Sequence, residues 1–256
     1  MSGERSHTRR SGRRQFGAFL REMVLVIIGA VIVSSLLRAY VGQMFIIPSG
    51  SMENTLLVGD RVVVQKITDF ERGDVIVFAD PGGWLSGETI EERGTIGRAL
   101  EFIGVLPDTS TEHLIKRVIG MPGDRVICCD TSGRLTVNGR ALDESSYLYT
   151  DQDGTKVRPS DIEFEVVVPR DRVFVMGDHR DSSADSRCHL SDLSTTQREG
   201  QVAFVPISVV VGPAFAVAAP FARAQTLHTP ATFDAVPAPA APAPEEAVIK
   251  PEGVSC

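Results

Sequence analysis

The sequence predicts a mainly β protein: an antiparallel β-barrel or sandwich with a smaller β-rich insertion, preceded by one N-terminal transmembrane helix. Two patterns predict it. From Ser51 onward, short β-branched runs are broken by Gly-Asp and Pro-Gly, the spacing of many strands joined by tight turns. Ahead of them, Met23–Leu37 (MVLVIIGAVIVSSLL) is an uncharged apolar run of 15 residues. As a helix it is roughly 22 Å long, and Phe19-Leu20 and Ala39-Tyr40-Val41 extend it toward the ~30 Å hydrocarbon core if Arg21 and Arg38 snorkel to the two interfaces.

Charge divides the chain in the same place. The formal net charge is −7 over 256 residues, yet the stretch up to Arg21 carries Arg5, Arg9, Arg10, Arg13, Arg14 and Arg21 against Glu4. The remainder is acidic, which excludes a nucleic-acid partner. Residues 1–20 therefore read as a basic cytoplasmic arm, flexible over Met1–Phe16, and residues 21–43 as the transmembrane anchor. The arginine excess places the N-terminus in the cytoplasm and residues 44–221, the β-rich domain, outside it. A cleavable export signal is the competing reading, and Arg13-Arg14 faintly resembles a twin-arginine signal. Arg38-Ala39-Tyr40-Val41 after the span offers no small-x-small cleavage site, which favours the uncleaved anchor.

Strands are expected over Arg61–Gln65, Asp74–Phe78, Leu114–Ile119, Arg125–Cys129, Leu135–Val137, Glu163–Val168, Arg172–Met176 and Val202–Val205. Gly82–Gly97 reads as a surface loop and Arg98–Val105 as a helix. Val209–Phe221 is apolar but holds Gly212, Pro213 and Pro220, which suits a closing strand better than a second membrane span. Residues 222–256 are Ala/Pro-rich and are expected to be disordered. The four cysteines, Cys128, Cys129, Cys188 and Cys256, lack zinc-ligand spacing, so no metal is expected. Either they stay free and buried or Cys188 pairs with Cys128 or Cys129.

Two segments carry the candidate chemistry. In Pro48-Ser49-Gly50-Ser51-Met52, Pro48 fixes its own φ and Gly50 admits unusual backbone angles, so Ser51 is presented on a preset bend. In His113-Leu114-Ile115-Lys116-Arg117-Val118-Ile119, a strand puts Lys116 on one face with Leu114 and Val118, and Arg117 on the other. Burial between apolar neighbours favours the neutral amine, which can accept a proton from a serine. A solvent-exposed strand lysine is the alternative. Lys66 is a rival base at the end of a Val-rich strand, and His179 sits in a charged loop where a solvated ring is the default. No serine stands three residues before any lysine, so the SxxK arrangement is absent.

Taken together, these segments resemble the type I signal peptidases, from the apolar span to about Pro213. Pro48–Met52 with Thr55-Leu56 and Gly59-Asp60-Arg61 is similar to the nucleophile box. Arg72–Phe78 is similar to the next, Lys116–Asp124 to the lysine box, and Gly177–Arg187 (GDHRDSSADSR) to the last. The resemblance implies a serine/lysine dyad, with Ser51 as nucleophile and Lys116 as general base. It assigns Ser49 to the oxyanion hole with the Ser51 N–H, Ser183 to orienting the lysine, and Asp185 and Arg187 to structural support. Two departures stand out: the family usually has proline at Asn54 and asparagine at His179. The implied activity is membrane-bound, cofactor-free removal of signal peptides from exported preproteins. The implied partners are those preproteins and the lipid bilayer, with the secretion translocon nearby. Two other classes share features with the chain: a membrane-tethered β-barrel binding module, in which the bend is only a turn, and a self-cleaving repressor-type Ser/Lys protease, to which an apolar anchor is foreign.

Overall fold

The computed structural model describes residues 8–40, 42–85, 113–194 and 198–251, together with Gly253 and Cys256. These fall into two units, the N-terminal helix and the chain from Gly42 onward.

The helix, α1, runs from Thr8 to Tyr40, 33 residues. Phe16–Ser35 within it is long and apolar enough to cross a membrane by length and composition. Its large apolar side chains are exposed, among them Val26, Leu25 and Val33. The helix starts earlier than the expected anchor at residue 21, taking in much of the arm expected to be flexible. Residues 8–20 contain no proline, and arginine extends a helix readily once one is nucleated. At the other end Gly42 and Gln43 leave the expected anchor and join a strand.

The second unit contains β1 (Gly42–Ile46), β2 (Arg61–Gln65), β3 (Val75–Ala79), β4 (His113–Gly120) and β5 (Arg125–Cys128). Next come β6 (Thr136–Val137), β7 (Arg140–Ala141), β8 (Phe164–Val167), β9 (Arg172–Met176), β10 (Val205–Pro206) and β11 (Val210–Ala219). β12 (Gln225–Thr226) and β13 (Val248–Lys250) lie in the tail. One sheet has the order β1-β2-β11-β3-β4-β9-β10, with β12 added on β11; the second has β13-β8-β5-β6-β7. The pairings are antiparallel throughout. This is the mainly β architecture that the sequence predicts, with the second sheet as the smaller insertion.

Alternation explains how the strands sit. In β3, Val75 and Val77 join a cluster with Phe45, Ile47, Met52 and Ile115, whereas Ile76 and Phe78 join Trp84, Val118 and Val205 on the other face. Both faces are covered, hence the continuous apolar run. Ile119 at the end of β4 enters the core of the second sheet with Val126, Val137, Phe164 and Phe174. A Cβ at Gly120 would lie 2.8 Å from Val126, so only glycine lets β4 reach that core.

Several expectations change. Val202–Val205 is a 3₁₀ turn, Gln201–Ala203, followed by the two-residue β10. Its carbonyls are claimed by side chains: Val202 O accepts from Trp84 Nε1, and Phe204 O from Arg172. The expected helix Arg98–Val105 and residues 86–97 of the expected loop lie outside the described residues. The cysteines pair differently from the expectation: Cys128 joins Cys129 and Cys188 joins Cys256. β5 ends at Cys128, so Cys129 is not held on an opposite face, and the tail brings Cys256 to a Cα–Cα distance of 4.5 Å from Cys188.

The tail, expected to be disordered, is packed. Arg223 grips Asp60 with two nitrogens, β12 adds to β11, and Thr229 Oγ1 donates to Asp74. Phe233 and Val236 are buried in the second sheet's core, and β13 pairs with β8. Proline-rich backbone carries carbonyls with no internal partner, and here side chains and backbone of the domain supply them. Asn138 Nδ2 donates to Pro237 O at 2.9 Å and the Arg170 N–H to Pro244 O at 2.8 Å.

Candidate active site

Ser51 is held by a turn whose ends are pinned. The Ile47 N–H donates to Asp60 O and the Gly59 N–H to Ile47 O, and Gly50–Met52 closes as a 3₁₀ turn with the Glu53 N–H on Gly50 O. Met52 and Leu56 are fully buried and anchor it. Asn54 follows with φ 85°. That is a backbone which proline, locked near φ −65°, does not adopt.

Lys116 comes from the middle of β4, opposite Ile76 of β3. Its Nζ lies 2.6 Å from Ser51 Oγ and 3.1 Å from Ile115 O. Ser51 is 6% exposed and Lys116 3%, so the exposed-lysine reading is set aside. Burial pulls the Lys116 amine down to about 8, against the opposing pull of the Asp185 and Asp178 carboxylates. The rival Lys66 is exposed. Ser49 Oγ lies 3.4 Å from Ser51 Oγ.

The loop 177–187 packs against this pair. The His179 N–H donates to Ser51 O at 3.1 Å. A Cβ at Gly177 would lie 2.2 Å from Ser183 Oγ and 2.5 Å from Ser51 O, so glycine alone allows the loop to come this close. Ser183 is buried beside the dyad, but among the described residues its Oγ makes no hydrogen bond, to Lys116 or to any other group. It lies within electrostatic reach of the Asp185 carboxylate without meeting hydrogen-bond geometry. Asp185 itself accepts from Arg187 Nε and Nη2, both at 2.8 Å, and from the Gly177 N–H at 2.9 Å. Burial raises its carboxyl, but the Arg187 guanidinium and these bonds outweigh burial and hold it below the ordinary value.

Sequence reasoning left out a second buried pair. Arg117 Nε and Nη2 donate to Asp178 at 2.8 and 2.6 Å, Thr55 Oγ1 donates to the same carboxylate, and the guanidinium lies 4.4 Å over the Tyr147 ring. Next to it Arg180 bonds Glu144 and Gly177 O, and Glu144 accepts from the Tyr147 hydroxyl. The available signal was the alternation of β4, which turns Arg117 into the interior opposite Lys116. His179 is not solvated as expected: its ring stacks on Tyr149 with centroids 3.7 Å apart. Its N–H meets only the carbonyl of Ser51, and its ring nitrogens face Glu53 and Asp181 rather than the Ser51 hydroxyl. A cavity of about 340 Å³ lies on the Arg117 side, lined by Thr55, Arg117, Tyr147 and the tail residues 225–230; neither Ser51 nor Lys116 lines it. Among the described residues, no group of three or more His, Cys, Asp or Glu side chains is placed to hold a metal.

Residues 20–219 match the family model described as signal peptidase, peptidase S26. The chain is 38% identical over 224 residues to signal peptidase I of Mycobacterium tuberculosis, covering 80% of this chain and 74% of the relative. It is 35% identical over 234 residues to a probable signal peptidase I of Mycobacterium leprae, covering 80% and 78%. With a probable signal peptidase I-2 of Synechocystis the identity is 31% over 220 residues, covering 84% and 80%.

Proposed function

The chain belongs to the signal peptidase family, peptidase S26, a family of serine endopeptidases, and from that premise we propose that it removes signal peptides from exported preproteins by a Ser51/Lys116 dyad. The observation that carries this reading is the 2.6 Å approach of Lys116 Nζ to Ser51 Oγ, with both side chains buried. With its amine at about 8, Lys116 is neutral in a useful fraction of molecules near neutral pH, and the neutral form can take the serine proton. Ser51 Oγ then attacks the carbonyl carbon of the scissile bond. Lys116 returns the proton to the leaving amine, and the same amine deprotonates the water that hydrolyses the acyl-enzyme. The Ser49 hydroxyl, with the Ser51 N–H, supplies the donors for the oxyanion. The Asp185–Arg187 pair braces the loop that packs against the dyad, and Asp185 limits how far burial lowers the amine.

The apolar helix supports a single-pass anchor, with the arginine-rich end in the cytoplasm and the β-rich domain outside. An anchored enzyme meets substrates that reach it in the same plane, close to the translocon, which raises effective concentration. The test is incubation of the detergent-solubilised chain with a preprotein. Wild type should release the mature protein, and Ser51→Ala and Lys116→Ala should each release none. Full activity in the Lys116 variant would return Lys66 to consideration and sink the dyad.

A further inference from the structure

The turn that carries Ser51 and the loop that carries Ser183 are stitched together at a second point, which the dyad mechanism does not use. The carboxylate of Glu53, two residues past the nucleophile, curls back over the turn: a Cβ at Gly50 would lie 3.0 Å from its Cδ and Oε1. Its Oε2 is 3.1 Å from His179 Nδ1, while His179 Nε2 is 3.3 Å from Asp181 Oδ1. The imidazole lies on the Tyr149 ring, with an interplanar angle of 21°. Tyr149 is itself fixed through its N–H to Asp178 O and its carbonyl to the Val157 N–H. The ring is thus clamped from three sides, with its backbone N–H already on Ser51 O.

A proton on Nδ1 is donated to Glu53 and ties the loop to the nucleophile turn through a side chain as well as the backbone, whereas Asp181, which faces Nε2, lies in the same loop as His179 and adds no tie to the turn. Glu53 and His179 are therefore a coupled pair. We infer that His179 is a positioning residue that acts through Glu53, holding the Gly50–Met52 turn so that Ser51 Oγ stays in line with Lys116 Nζ. The pair touches neither the reacting oxygen nor the amine, and a misplaced nucleophile lowers the rate of acylation rather than substrate affinity; misplacement by an ångström can cost on the order of 100-fold.

The inference rests on the proposed peptidase activity, so its test carries two readouts: kcat and KM for a preprotein, and the rate at which a serine-directed acylating reagent captures Ser51. The second still reads the positioning should the preprotein not be cut. Glu53→Ala and His179→Ala should each lower kcat and the capture rate about tenfold, with KM and Tm close to wild type. The double variant should be no worse than either single one, because both remove the same contact. Glu53→Gln, which keeps an acceptor oxygen, should recover most of the loss. Independent losses that multiply to about 100-fold in the double variant would overturn the coupling. So would a change confined to KM, or a loss that tracks a fall in Tm and is not relieved by Glu53→Gln.

Discussion

Arg117 and Asp178 form a two-pronged ion pair, at 2.8 and 2.6 Å, directly behind the strand position that presents Lys116 to Ser51. Both partners are buried. Adjacent residues of β4 therefore carry two cations on opposite faces, one kept charged by its carboxylate and one biased toward neutrality by burial.

That arrangement sets the effect of breaking the pair. Asp178→Asn leaves the Arg117 guanidinium buried without its counter-charge, and removing one partner of a buried pair costs about 3–5 kcal/mol. Urea unfolding should show a loss of that size. Because Asp178 also pulls the Lys116 amine upward, its removal should move the rising limb of the activity profile to lower pH in the molecules that still fold.

The pH dependence of wild type follows from the same amine. The proposed mechanism requires neutral Lys116, so kcat/KM should rise with pH through a midpoint of about 8. For stability the sign runs the same way. The folded amine sits at about 8 against its ordinary 10.5, so between those values the unfolded chain binds more protons. This group therefore makes stability increase with pH across that window, and it opposes folding below it. Lys116→Met should be inactive yet more stable than wild type at pH 7, with the difference shrinking toward pH 10. Equal Tm values for the two proteins at both pH values would refute the assignment.

Ser49 should rank below the dyad. Its hydroxyl stands 3.4 Å from Ser51 Oγ, and in the proposed mechanism it donates to charge that develops on the substrate rather than moving a proton. Removing one such donor typically costs on the order of 10²–10³ in kcat. Ser49→Ala should thus retain measurable cleavage with little change in KM, while Ser51→Ala retains none. A Ser49→Ala protein as active as wild type would leave the oxyanion to backbone donors alone.

How far these features can be read in the sequence depends on how local their causes are. The segments that carry Ser51 and Lys116 were legible because each is contiguous and its residues shape the local backbone, whereas their pairing was implied only by the resemblance. Strands β2, β3, β4 and β9 were legible for the same reason: β2 and β9 begin and end where the β-branched runs do. The clamp on His179 was not, because Tyr149 lies thirty positions earlier and nothing near either residue implies stacking. Cysteine partners cannot be deduced from spacing alone, and the Cys188–Cys256 link depends on where the tail ends. The tail was misread because its Ala/Pro composition hid a few anchors, and composition averages over single residues such as Phe233.

Phe233 gives the tail a direct test. Its ring is buried, packs against Gly73, where a Cβ would lie 2.5 Å from it, and stacks on Tyr147 with centroids 6.2 Å apart. Tyr147 in turn carries the Arg117 guanidinium, so the tail supports the underside of the buried pair. Phe233→Ala removes a large core side chain, a change that typically costs about 3–5 kcal/mol. The urea midpoint should fall accordingly, and residues 222–256 should become sensitive to limited proteolysis where wild type resists. A disordered tail would give the opposite: cleavage after Arg223 in wild type at low protease, and no change in the midpoint on substitution. Tail loss should also weaken cleavage more than the mutation's distance from Ser51 suggests, because freeing Tyr147 loosens Arg117 and, through Asp178, the loop that carries His179 onto the Ser51 carbonyl.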